Sequence, residues 1–143
     1  MEIFTDGACV GNPGPGGWAW VAETGEQASG GEAHTTNQRM ELTAVIEALS
    51  QHDGEITIVS DSTYVINCFR DKWWVRWLSN GWKNSKREPV ANADLWQKLV
   101  PLVTERNPVV SFRWVKGHAG VPLNEQADSL AQAEAQRRAS ARR

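Results

Sequence analysis

Two short apolar runs in this chain each end on an aspartate, and this limits the folds open to it. Asp6 closes the run in EIFTD, and Asp61 directly follows ITIVS. Two further acids, Glu41 in TTNQRMEL and Asp128 in NEQADSLA, lie on the apolar side of helix-spaced patterns. A carboxylate without a partner is rarely buried. A fold that accepts all four must expose them or gather them, and a gathered set is most simply held by a divalent cation. Taken singly, each acid can equally be a solvated group or a helix cap, with Asp61 beside Ser62 the best case for a cap.

The pattern along the chain gives the frame. Glu2–Cys9 reads as a strand ended by the Gly/Pro loop VGNPGPGG, and Gly17–Glu23 as a second strand with two tryptophans in alternation. A weaker third strand is predicted at Gln27–Ala33, completing an antiparallel meander. A helix follows from about Thr36 to Gln51, with Thr35 and Gln38 as a capping box. Leu42, Val45, Ile46 and Leu49 form its apolar face, extended by Met40, Ala44 and Ala48. Glu55–Ser60 reads as a buried strand, and Ser62 as the cap of a helix to about Phe69. A strand followed by a helix suggests a parallel addition to the sheet. Lys72–Val90 reads as irregular, basic and Trp-rich. Asn92 is the expected cap of ADLWQKLVPLVTE, where Pro101 predicts a kink or early end. Val109–Val115 is the last strand, KGHAGVP a loop, and Pro122 opens a final helix whose polar last turns are expected to fray.

The expected class is therefore α/β: a five-stranded mixed sheet, three antiparallel strands then two parallel ones, with helices on both faces and a basic Trp-rich protrusion. One domain spans 1–143, with 1–136 as folded core and 137–143 as a basic, flexible tail. No apolar run approaches the roughly 18 residues of a membrane helix, and MEIFTDGA lacks the features of a signal peptide. A cytoplasmic monomer is expected. Cys9 and Cys68 are expected as reduced, mostly buried thiols.

A net charge of −2 argues at first against nucleic acid. Without the four acids it becomes +2, and two divalent cations would neutralise the same charges. The cations cluster: Arg70, Lys72, Arg76, Lys83, Lys86 and Arg87 in one stretch, and Arg137, Arg138, Arg142 and Arg143 at the end. Local patches govern phosphate binding more than overall charge does.

If the strands ending at Asp6 and Asp61 are parallel neighbours, both carboxylates emerge at one sheet edge. Glu41 lies one turn into its helix, and Asp128 one turn after Asn124 on the same face. Such a set suits Mg²⁺, which prefers hard oxygen ligands and shares the rest of its shell with water and phosphate. Two such ions would activate a water and stabilise a leaving oxygen.

Five motifs in order, FTDGACVGNPGPGGWAW, TTNQRMELTAVIEAL, SDSTYV, GWKN with PVANADLW, and FRWVKGHAGVPLNEQAD, closely resemble the bacterial type 1 ribonuclease H family. The resemblance runs from about residue 1 to about residue 132. It implies the ribonuclease H-like fold and an endonuclease that cuts the RNA strand of RNA–DNA hybrids. It further implies water as nucleophile, two Mg²⁺ ions (with Mn²⁺ a possible substitute), and 5′-phosphate and 3′-hydroxyl products. By position, Asp6, Glu41, Asp61 and Asp128 match the metal-binding acids, and His118 the catalytic histidine. A histidine in a Gly-flanked loop suits proton transfer and product release. Glu125 either tunes this site or complements a helix dipole.

Asn12, Asn37 and Gln38 match the family's 2′-hydroxyl contacts, and Thr36 part of a pocket for a DNA-strand phosphate. Asn12 reads equally as a turn residue and Asn37 as a helix start. Thr63 departs from the family pattern, where many members carry Gln, so one minor-groove contact is expected to be lost or bridged by water. The basic insertion resembles the protrusion that grips the hybrid, with Trp73, Trp77 and Lys83 as candidate contacts. Trp73 and Trp77 read equally as packing residues, and Trp74, Trp82 and Trp96 are expected to pack. The chain starts at its first strand, so no preceding hybrid-binding domain and low processivity are expected. Two competing readings are a catalytically inactive hybrid-binding module and a DNA-cutting nuclease of the same fold.

Overall fold

Strand β1 (Glu2–Cys9) pairs antiparallel with β2 (Gly14–Ala22) and parallel with β4 (Thr57–Ser60), so it lies at the centre of the sheet. β3 (Gln27–Thr35) flanks β2, and β5 (Ser111–Trp114) flanks β4 in parallel, giving the order β3-β2-β1-β4-β5. The expected five-stranded mixed sheet is thus present. The computed structural model describes residues 1–141.

Alternation along β1 separates two apolar layers. Ile3 sits beside Ala22 and Ile58, facing helix α1 (Asn37–Ser50) and helix α4 (Ala93–Thr104). Phe4 sits beside Val21 and Val59, facing Ala127 of helix α5 (Pro122–Ala141). A one-residue slip would exchange the layers, so register is fixed by burial on both faces. Met40, Ala44 and Ala48 extend the apolar face of α1 as expected and are fully buried.

Several local expectations are corrected. Thr35 is not a cap: it pairs with Gly14 as the last residue of β3 and is buried. Thr36 caps α1 instead, its side chain accepting from the Arg39 N–H at 3.2 Å. The Lys72–Val90 stretch is not all irregular. It contains helix α3 (Trp73–Asn80), bounded by left-handed residues Lys72 and Gly81. Helix α2 (Thr63–Arg70) precedes it, with the expected Ser62 cap. Asn92 is left-handed and makes no side-chain cap bond; its Oδ1 accepts from Arg39 and its amide donates to Tyr64.

Helix α4 continues past Pro101 to Thr104. Pro101 and Gln97, whose carbonyl loses a donor, both face solvent, while Leu99, Val100 and Val103 are buried on the other side. Solvation of the freed carbonyl and burial of the opposite face outweigh the proline penalty of roughly 3 kcal/mol. The strands at Thr57–Ser60 and Ser111–Trp114 are shorter than expected. Helix α5 runs through Ala141, so the tail is helical over 137–141, while Arg142 and Arg143 lie outside the described residues.

An aromatic column fastens α3 to the core. The Trp77 ring lies 5.4 Å from Trp96, 5.9 Å from Trp82 and 6.3 Å from Trp73. Trp96 is fully buried and its indole N–H donates to the Tyr64 hydroxyl at 2.9 Å. Trp77 is therefore chiefly an anchor, as Trp74, Trp82 and Trp96 are, while Trp73 remains 37% exposed at the surface.

Candidate active site

Gly7 brings the first two acids together. A Cβ there would fall 2.6 Å from the Met40 carbonyl carbon, so only glycine lets the start of α1 lie directly on β1. Glu41 then comes beside Asp6, and the two are 6% and 3% exposed. Gly7→Ala is expected to push α1 away, costing about 3 kcal/mol or more of stability. It should also weaken divalent-cation binding, since it separates Glu41 from Asp6; urea unfolding and a Mg²⁺ titration check the two effects. Unchanged stability would sink the close-approach argument.

Asp61 reaches the same edge from the end of the parallel strand β4. It is half-buried. The Trp114 indole N–H donates to its carbonyl at 3.2 Å, and the Ser62 N–H to Ser60 Oγ at 3.0 Å, fixing the chain as it leaves the sheet. Gly117 approaches the same residue's carboxylate: a Cβ there would lie 2.9 Å from Asp61 Oδ2, so a side chain at 117 would have to displace the carboxylate. Ligand atoms of Asp6, Glu41 and Asp61 all lie within 4.8 Å of one another.

Asp128 stands apart from this trio. It is half-exposed on α5, close enough to Asp6 to raise its carboxyl, and accepts from Gln132 Nε2 at 3.1 Å. The four acids thus form three clustered groups and one at the rim.

Gathering the acids has an electrostatic cost. Burial, then the charges of Asp61 and Asp128, push the Asp6 carboxyl up to about 8, against the Gly7 N–H that donates to Oδ1 at 2.9 Å. Burial and the neighbouring Asp6 and Asp61 raise Glu41 well above the usual range. Burial also raises Asp61, opposed by the polar side chain of Asn124 and by nearby His118. Asp6 Oδ2, Glu41 Oε2 and Asn124 Oδ1 are buried without a hydrogen-bond partner. Orphaned oxygens converging beside raised carboxyls are the signature of a site completed by a cation. The donor set is all oxygen, which fits Mg²⁺ or Mn²⁺.

His118 is exposed in the loop between β5 and α5, with a left-handed backbone at φ 57°. Glu125 is exposed in the first turn of α5. At the other side of Asp6 lies the N-terminus of α1. Asn12 Oδ1 accepts from the Asn37 N–H at 3.0 Å, so the Gly/Pro loop and the helix start are one unit. Asn12 is thus both a loop residue and the partner that places Asn37, beside the capping Thr36 and exposed Gln38. A cleft of about 370 Å³ runs from Asn37 of this unit to Asp128 at the rim, lined also by Cys9 and Gln132. A second hollow of about 450 Å³ on the protrusion is lined by Lys72, Trp73, Arg76, Trp77, Lys83 and Asn84. Lys83 pairs with Pro89 where the insertion turns back.

Sequence reasoning missed Gly7, Trp114, Gly117 and Asn124. Asn124 left a signal, as a polar residue on the apolar face of the last helix four positions before Asp128. Arg39 was also missed; its two-pronged bond to Asp94, at 3.0 and 2.8 Å, ties α1 to α4 and holds the Asp94 carboxyl down at about 2.

A family model described as RNase H matches residues 1–136. The chain is 50% identical to a protein named Ribonuclease H from Nitratidesulfovibrio vulgaris over 143 residues, covering 96% of this chain and 90% of that one. Among solved structures, LC9-RNase H1, titled a type 1 RNase H with the type 2 active-site motif, superposes with a TM-score of 0.79. It is 31% identical, with 96% of this chain and 72% of that one covered. LC11-RNase H1, solved in complex with RNA/DNA hybrid, shares the fold with a TM-score of 0.71, 24% identity, and 95% and 96% coverage.

Proposed function

This chain belongs to the RNase H family, and from that premise we propose that it cuts the RNA strand of RNA–DNA hybrids using two Mg²⁺ ions. The observation that carries the reading is the trio Asp6, Glu41 and Asp61, with ligand atoms within 4.8 Å and two of the three acids buried. When bound, divalent cations supply an activated water and counter-charge for the leaving oxygen. Asp6, Glu41 and Asp61 would hold them, with Asp128 joining from the rim. The water oxygen would bond to phosphorus as the bond to the 3′ oxygen breaks, so that 5′-phosphate and 3′-hydroxyl ends result once the 3′ oxygen takes a proton.

The remaining side chains divide the other tasks. His118, exposed on its loop beside Asp61, moves a proton to the leaving group or assists product departure. Asn12, Asn37 and Gln38 sense 2′-hydroxyls in the shallow minor groove, since amides both donate and accept. Thr36, at the N-terminus of α1, takes a DNA-strand phosphate. Trp73 and Lys83 on the protrusion grip the duplex beyond the cut. Thr63 opens α2 two residues after Asp61, and its short side chain leaves one groove contact to water. The proposal includes a monomer acting in the cytosol. The cytosolic part is supported by the pair of free cysteines, Cys9 and Cys68, the latter buried. No helix among the described residues is long and apolar enough to cross a membrane.

Labelled hybrid, duplex RNA and duplex DNA incubated with Mg²⁺ or with EDTA test the reading. Cleavage confined to the RNA of the hybrid, and abolished by EDTA, is expected. Equal cutting of duplex DNA would refute it in favour of a DNA nuclease. Binding without cleavage would refute it in favour of an inactive binding module.

A further inference from the structure

Asn124 sits in the first turns of α5 and is 1% exposed. Its neighbours on the same side of the helix, Ala127 and Ala131, are fully buried, so packing alone asks for an apolar residue there. The side chain faces the Asp61 carboxylate and favours its charged form, and Gly117 approaches the same carboxylate. Its Oδ1 has no partner. It is therefore not a helix cap, since no backbone N–H is bonded to it. An amide carries donors and an acceptor on one rigid plane. With the donor end toward Asp61, the acceptor end is a buried lone pair next to a site that, on the hydrolytic reading, takes in water. A buried acceptor left empty is costly, and native folds rarely retain one without a use.

We propose that Asn124 is a positioning residue for hydrolysis: its N–H end orients the Asp61 carboxylate toward Asp6 and Glu41, and its Oδ1 accepts a hydrogen bond from a water in the same site. The inference rests on the hydrolytic reading above. Partners of this kind are worth 10–100-fold in metal affinity or activity, because an unheld ligand must be ordered at each binding event.

Asn124→Leu is near-isosteric and keeps the packing, while Asn124→Ser retains one small donor and acceptor. Three readouts are taken: single-turnover cleavage of hybrid, KM for hybrid, and Mg²⁺ affinity from amide chemical shifts without substrate. Asn124→Leu is expected to lower the cleavage rate about 10–100-fold and weaken Mg²⁺ about tenfold. Its KM for hybrid should stay within about twofold. Asn124→Ser should recover part of both losses. A merely structural role would lower the unfolding midpoint and leave the Mg²⁺ affinity of the folded variant unchanged. That result, or a cleavage rate within about twofold of the unsubstituted protein, overturns the proposal. Should Asn124→Leu not fold, Asn124→Ser decides by the same readouts, with a loss of about 3–10-fold expected. If the unsubstituted protein neither cleaves hybrid nor responds to Mg²⁺, the functional reading has failed instead, so the two failures are distinguishable.

Discussion

Asp61→Asn is expected to abolish cleavage of an RNA–DNA hybrid while leaving hybrid binding intact. The substitution keeps the shape of the side chain and removes one charge from a cluster whose ligand atoms lie within 4.8 Å. Groups that merely orient a metal ligand are worth up to about 100-fold, so a ligand itself should cost more than that. The proposed hybrid contacts are untouched: Asn12, Asn37 and Gln38 stand at the α1 start, and Trp73 and Lys83 on the protrusion. Nor should the loss come from unfolding. Burial and its neighbours already hold the Asp61 carboxyl above its usual range, so deleting the charge relieves repulsion in the metal-free fold. Single-turnover rates with Mg²⁺, hybrid affinity in EDTA and the unfolding midpoint in EDTA check the three parts. Near-normal turnover refutes the assignment of Asp61, and lost hybrid binding refutes the separation of grip from chemistry.

Residues whose neighbours in sequence are also their neighbours in space were legible. The strand at Glu2–Cys9, the helical spacing of Leu42, Val45 and Leu49, and the Ser62 cap all followed from local pattern. Thr35 and Thr36 show where that stops. Both can cap a helix, and the choice is made by pairing of Thr35 with Gly14, twenty-one positions away, which keeps it in β3. Helix α3 was hidden for a similar reason. Its anchor is the contact between Trp77 and Trp96, and a basic Trp-rich sequence carries no trace of which ring will be covered. Asn92 holds the N-cap position of α4 as expected, but its side chain makes no cap bond because it serves Arg39 and Tyr64 on other helices.

The candidate site was legible for another reason. Acids at the ends of apolar patterns are locally anomalous, so Asp6, Glu41, Asp61 and Asp128 stood out before any fold was known. Their inequality did not. Sequence treats the four alike, whereas the fold buries two, half-buries Asp61 and leaves Asp128 at the rim. Supporting residues were hidden because they look ordinary: Gly7 as a strand glycine, Trp114 as an apolar strand end, Asn124 as a polar helix residue.

The burial of these acids leads to the second large effect, a stability that falls as pH rises when no divalent cation is present. In the unfolded chain aspartate and glutamate titrate at about 3.8 and 4.5, whereas in the fold Asp6 is raised to about 8 and Glu41 and Asp61 are also raised. Between about pH 4 and pH 8 the folded state therefore binds more protons than the unfolded one. The sign follows: the contribution is fully present below the unfolded values and lost as pH climbs through the folded ones, at about 1.4 kcal/mol per pH unit for each proton retained. The Arg39–Asp94 pair does not mask this, because Asp94 is lowered to about 2 and changes its contribution only below about 3.8. Urea unfolding in EDTA at several pH values should show the decline, and Mg²⁺ should reverse most of it by binding only the folded cluster. Asp6→Asn removes one of these buried charges, so at pH 8 in EDTA the variant should exceed the unsubstituted protein by about 2 kcal/mol or more. With Mg²⁺ the difference should shrink, because only the intact trio gains from the ion. A flat or rising profile in EDTA, or one that Mg²⁺ leaves unchanged, would show that the acids are not gathered as described. The charges that oppose folding in EDTA are the ones that make cation binding favourable.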